Sequence, residues 1–177
     1  MKKQPVVFIL CGKRGEGKTS FLADLAVQLK NTGVKTDGIL APAMPGEGLP
    51  GRYSLHHIQS GRELTLCKRD YSAGWIKAGP FYFNPEALEA GNRILTHPGI
   101  LDNDLVILDE IGKFELEGLI WAGSFSRLLG KATCPLIFSV RDTYIEEIIS
   151  HWDLQEAVIF NLSQSTLAGA MEDIRNV

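Results

Sequence analysis

Eight residues near the start constrain this chain more than any others: Gly12-Lys13-Arg14-Gly15-Glu16-Gly17-Lys18-Thr19, which fit G-x-x-x-x-G-K-[ST]. Before them runs Pro5-Val6-Val7-Phe8-Ile9-Leu10-Cys11, apolar and rich in β-formers, which reads as a buried strand. After them, apolar residues at 21, 22, 25, 26 and 29 make a helical stripe through residues 20–30. Strand, glycine loop and helix, in that order, is the setting in which such a loop cradles phosphate. The glycines let the backbone bend so that successive N–H groups point inward, and the helix N-terminus adds partial positive charge. Gly12, Lys13, Arg14, Gly15, Glu16, Gly17, Lys18, Thr19 and Ser20 are therefore the expected phosphate-binding residues. Lys18 is expected to reach the β- and γ-phosphates, and the Thr19 hydroxyl to hold Mg²⁺.

The rest of the chain supplies the sheet. Val34–Ala41 reads as a second strand after a helix stop at Gly33. Residues 42–51 hold three prolines and three glycines and read as a loop. Residues 52–58 and 63–68 flank a four-residue turn and predict a hairpin. Ile76–Phe83 reads as one strand, with Pro80 arguing for an edge. Asn84-Pro85-Glu86 opens a helix that runs to about Leu95. Leu105-Val106-Ile107-Leu108 is a fully apolar strand. Helices over 119–129, 144–150 and 166–174 alternate with strands over 135–140 and 157–160. Alternation of this kind predicts a mostly parallel α/β sheet covered on both faces.

The apolar strand at 105–108 ends in Asp109-Glu110. In a phosphate-loop protein, an acid at that carboxyl end holds the metal, directly or through water, and its neighbour is free to orient and activate a water. Asp109 is the expected metal partner and Glu110 the expected base. Other candidates have structural alternatives. Lys113 reads equally as a charge stabiliser or a solvated helix lysine. Arg52 is a basic candidate near the Gly/Pro loop. Arg14 matters more through its backbone. Arg141-Asp142 reads as a sensor pair or, preferably, a loop salt bridge. His56 and His57 fit alternating strand faces better than a metal. Trp75, Trp121 and Trp152 are too scattered for a base-stacking platform.

Composition narrows the classes. The 177 residues suit a single domain spanning 1–177. A net charge of −3 gives no clear nucleic-acid surface. No apolar run approaches the ~20 residues of a membrane span, and the opening apolar run is too short for a signal peptide. Three widely spaced cysteines argue against a disulfide framework or zinc and for a cytoplasmic protein.

Asp109-Glu110-Ile111-Gly112-Lys113-Phe114-Glu115-Leu116 resembles the D-E-I-G-K-M-E-L signature of the nucleoside-triphosphatase family that includes the thermophilic and human cancer-related NTPases. Ala78-Gly79-Pro80-Phe81-Tyr82-Phe83-Asn84 is similar to that family's V-G-x-Y-x-x-N, and Arg52-Tyr53-Ser54-Leu55 to its R-x-G-F. The resemblance spans residues 6 to about 162. It departs at Ala41-Pro42-Ala43-Met44-Pro45, where the family has T-x-E-V-R, and at Asn161-Leu162, where it often has N-R. It implies a P-loop fold with a RecA-like sheet and an inserted β-hairpin. It also implies Mg²⁺-assisted hydrolysis of several nucleoside triphosphates, with any protein partner or activator unknown. The rival expectations are a small kinase for a nucleotide or metabolite, and a nucleotide-dependent adaptor.

Overall fold

The computed structural model describes residues 5–45 and 51–177. Among them, nine strands form one sheet. β1 (Val7–Gly12) feeds the glycine loop and α1 (Lys18–Asn31), and β2 (Thr36–Leu40) follows. β3 (Arg52–His57) and β4 (Glu63–Lys68) make the predicted hairpin, and β5 (Ile76–Ala78) and β6 (Phe81–Phe83) make a second. α2 (Pro85–Thr96), β7 (Leu105–Leu108), α3 (Lys113–Leu116), α4 (Ala122–Lys131), β8 (Leu136–Arg141), α5 (Ile145–His151), β9 (Val158–Asn161) and α6 (Leu167–Arg175) complete the chain. The sheet order is β5-β6-β4-β3-β2-β7-β8-β1-β9, with β2, β7, β8, β1 and β9 mutually parallel.

The apolar runs are continuous because both sheet faces are covered. In β1, Val7 and Ile9 point into one core and Phe8 and Leu10 into the other. β7 divides likewise, Val106 and Leu108 against Leu105 and Ile107. α2 and α4 pack on the first face, α1 and α6 on the second. β2 approaches β7 closely at Gly38. A Cβ there would lie 1.9 Å from the Ile107 carbonyl oxygen, and the residue's φ is 138°, so only glycine fits.

Two local readings are corrected. The expected single strand at 76–83 is two strands, because Gly79 takes φ 55° and Pro80 offers no N–H, so the chain reverses. The expected helix at 119–129 starts at Ala122 and runs to Lys131, and a one-turn helix at Lys113–Leu116 precedes it. Ile120, at φ 52°, breaks the two apart. The Gly/Pro-rich run is described only at its ends, where Ala43 bridges to Tyr53. Residues 46–50 lie outside the described residues.

Asn84 caps α2 as expected, accepting from the Glu86 N–H at 3.1 Å. The three cysteines are free and buried. Burial pushes the Cys67 thiol up to about 12 and raises Cys11 and Cys134, so all three behave as apolar fillers. Among the described residues, no helix is long and apolar enough to cross a membrane.

Candidate phosphate and water site

Parallel strands put their carboxyl ends at one edge of the sheet, and that is where loops meet ligand in α/β proteins. The glycine loop leaves β1 there, and the acid pair leaves β7 there. Gly15 and Gly17 take φ 73° and 102°, bending the loop around its own N–H groups. The first helical bond of α1 runs from the Phe21 N–H to the Gly17 carbonyl. No side chain caps α1. The N–H groups of Lys18, Thr19 and Ser20 thus stand ahead of the first helical bond, at the positive end of the helix. A helix end of this kind can receive an anion.

Lys18 is buried to 6% exposure, and its ammonium donates to the Gly12 and Lys13 carbonyls at 3.0 and 2.8 Å. Its charge is held over the loop. Glu16 turns back and accepts from the Lys13 N–H at 2.6 Å, bracing the loop's first turn. Arg14 is exposed, in keeping with a backbone role.

Asp109 is 1% exposed. One oxygen accepts from the Ala41 N–H at 3.0 Å, the other from the Ser139 hydroxyl at 2.6 Å. Ser139 in turn accepts from the Glu110 N–H at 2.8 Å. Glu110 has φ 64°, a left-handed conformation uncommon for a residue with a side chain, and the Ser139 bond holds it there. Its carboxylate meets Arg141 at 2.9 Å. Sequence reading did not single out Ser139. The available signal was one hydroxyl inside the apolar run Leu136-Ile137-Phe138-Ser139-Val140.

The remaining candidates lie apart from this cluster. Arg52 reaches Asp70 at 3.8 Å, and Lys113 reaches Glu117 at 3.9 Å, both exposed. His56 faces Glu63 at 3.1 Å, and His57 faces Asp37 at 2.9 Å. Trp121 is buried against Gly91, Trp152 packs on Phe125, and Trp75 lies under the Lys68 ammonium.

A magnesium ion prefers oxygen ligands, keeps several waters and relies on substrate phosphates more than on an all-protein cage. The donor set fits that habit. Asp109 is a buried carboxylate with neutral partners, and among the described residues no cationic side chain pairs with it. Thr19, half-buried at the start of α1, adds a hydroxyl to the set.

Glu115, inside the quoted signature, anchors the segment behind the acids. Its carboxylate accepts from the Gly112 N–H at 2.9 Å and the Trp121 N–H at 3.3 Å. Burial pushes its pKa up to about 7 from 4.5. The sign follows: the unfolded chain ionises this group first, so its stability contribution is full below the unfolded pKa and drains away as pH rises through about 7. Unfolding free energy is therefore expected to fall by about 2 kcal/mol between about pH 5 and pH 8. Denaturant melts of wild type and Glu115→Gln across that range check it, with the slope flattened in the variant.

β8 lies between the strand that feeds the glycine loop and the strand that carries the acids. That is the RecA-like order, and the class is that of the P-loop nucleoside triphosphatases. The family described as NTPase matches residues 7–174, and the chain belongs to it. The nucleoside-triphosphatase THEP1 of Korarchaeum cryptofilum is 25% identical over 166 residues, covering 89% of this chain and 80% of its own. That of Thermotoga sp. strain RQ2 is 27% identical over 172 residues, covering 96% and 93%. Two solved structures share the fold. A human cancer-related nucleoside triphosphatase has TM-score 0.70 at 19% identity, covering 98% of this chain and 96% of its own. THEP1 from Aquifex aeolicus has TM-score 0.69 at 17% identity, covering 96% of each.

Proposed function

We propose that this chain is a single-domain, Mg²⁺-assisted triphosphatase that hydrolyses the γ-phosphate of several nucleoside triphosphates, with Glu110 managing the water. One observation carries the reading. An uncapped helix end behind a buried lysine shares a sheet edge with a buried carboxylate whose partners are all neutral. The first calls for an anion and the second for a cation. The buried, free cysteines fit a reducing, cytoplasmic setting.

The loop N–H groups from Gly15 to Ser20 grip the phosphates, with Gly12, Lys13, Arg14 and Glu16 shaping the loop. Lys18 leaves its carbonyl partners for the β- and γ-oxygens. Thr19 and Asp109 would hold Mg²⁺, which when bound neutralises phosphate charge. The water oxygen bonds to the γ-phosphorus as the bond to the bridging β-phosphate oxygen breaks. The electron pair leaves on that oxygen, and the water's proton passes to Glu110. Ser139 holds both acids in register throughout.

The test is a magnesium titration of phosphate release. Thr19→Ala and Asp109→Asn are each expected to raise the metal concentration needed by about tenfold or more. Superimposable titrations for both variants and wild type would remove the metal assignment.

A further inference from the structure

Hydrolysis at this site calls for one more cation near the γ-phosphate, and Arg141 is the candidate whose guanidinium already reaches the acid pair. Arg52 and Lys113 pair with Asp70 and Glu117, and Arg14 stands exposed on the loop. Arg141 is different. It ends β8, and its Cα lies opposite Gly12, the first residue of the phosphate loop. On its other side β8 pairs with β7, which leads into Asp109 and Glu110. Arg141 therefore stands between the two halves of the site, and its guanidinium is on Glu110 at 2.9 Å.

That contact conflicts with the work assigned to Glu110. A guanidinium on one oxygen takes one of its acceptor sites and sets which way the carboxylate faces, so the group is aimed at Arg141 and not at a water. The backbone of Glu110 is fixed by Ser139 and its left-handed φ, so what can change is the side-chain partner. The pair suits exchange. The two side chains are 35% and 43% exposed, and such ion pairs are weak. A terminal phosphate offers a guanidinium more charge and three acceptor oxygens, two of which it can grip at once.

Building on the role given to Glu110 above, we infer that Arg141 is a latch with two partners. It holds Glu110 while no terminal phosphate is present. When a triphosphate enters, it moves to the γ-phosphate and releases Glu110 to the water. Arrival of substrate and arming of the base are then one event. A diphosphate ends short of Arg141 and leaves the latch closed. The chain carries its own transition-state cation instead of borrowing one.

The experiment is equilibrium binding of ADP and of the β,γ-imido analogue of ATP, with Mg²⁺, to wild type, R141A, R141K, E110Q and the double variant E110Q/R141A, beside single-turnover phosphate release. R141A is expected to lose about tenfold in affinity for the triphosphate analogue with ADP affinity unchanged, and about a hundredfold in turnover. R141K, which keeps the charge without the fork, falls between. E110Q is expected to bind the analogue more tightly, because Arg141 has no ionic partner to abandon, and that gain is absent from the double variant. Equal losses for both nucleotides in R141A would make Arg141 a support for the strand end and overturn the latch. A gain in E110Q that persists without Arg141 would do the same. E110Q turning over at the wild-type rate would overturn the reading of Glu110 and the latch with it. An inert E110Q beside an unaltered nucleotide ratio in R141A would overturn the latch alone.

Discussion

Lys18→Ala stops hydrolysis and leaves the fold standing. Lys18 is the lysine held over the glycine loop, and its ammonium already rests on the Gly12 and Lys13 carbonyls. A charge parked there has little distance to travel and little entropy left to lose when phosphate arrives. Without it, the loop N–H groups still bind phosphate, but nothing on this side offsets the charge that builds on the β–γ bridge. Loss of about a thousandfold in turnover is expected, with weaker triphosphate binding. The structural cost is small. The two carbonyls that lose a partner belong to the loop, where water can replace the ammonium, so the stability change should stay near about 1 kcal/mol. Phosphate release, nucleotide affinity and a thermal melt on the same sample decide it. Wild-type turnover in this variant would sink the site assignment, and a collapsed melt would show that the lysine is a structural strut.

Glu110→Gln keeps nucleotide and metal binding and loses most hydrolysis. The amide has nearly the carboxylate's shape, and the Ser139 bond to the residue 110 N–H does not depend on the side chain. The Asp109 carboxylate, held by Ala41 and Ser139, should keep its place. What disappears is the group that takes the water's proton, worth about 10²–10⁴-fold, and the loss should fall on kcat with no rise in KM. The variant becomes a slow trap for triphosphate. It also separates the rival classes. A kinase would show near-background hydrolysis in wild type without an acceptor. An adaptor would keep its partner in the trapped state. Single-turnover phosphate release beside equilibrium binding is the measurement, and a variant as fast as wild type would reduce Glu110 to a charged strand end.

Much of this was legible in the sequence, for a physical reason. The glycine loop needs its residue types at fixed spacing, and β1 and β7 are apolar throughout because both faces are buried, so pattern and position coincide. What escaped depends on partners distant in sequence. Ser139 is one hydroxyl in an apolar strand, and only the sheet register brings it to Asp109, thirty residues away. The sequence reads Arg141 as a sensor or, preferably, a loop salt bridge. It is a salt bridge, but its partner is the candidate base. The Ile76–Phe83 run failed because strand propensity outweighed Gly79 and Pro80, whose backbone preferences turn the chain. α3 stops at Gly118, φ 78°, and α4 starts late because Ile120 takes positive φ, which no side-chain pattern announces.

The strand between β1 and β7 acts as a spacer. Neighbouring strands sit about 4.8 Å apart, so inserting β8 sets the phosphate loop and the acid pair roughly 10 Å apart at the sheet edge. The width of the reaction chamber is thus a dimension of the sheet, fixed by backbone hydrogen bonds in the most buried part of the molecule. Loops can vary what enters the chamber, but they cannot change its gauge. Side chains rising from the spacer stand between the two walls, and in this chain Ser139 and Arg141 rise from it.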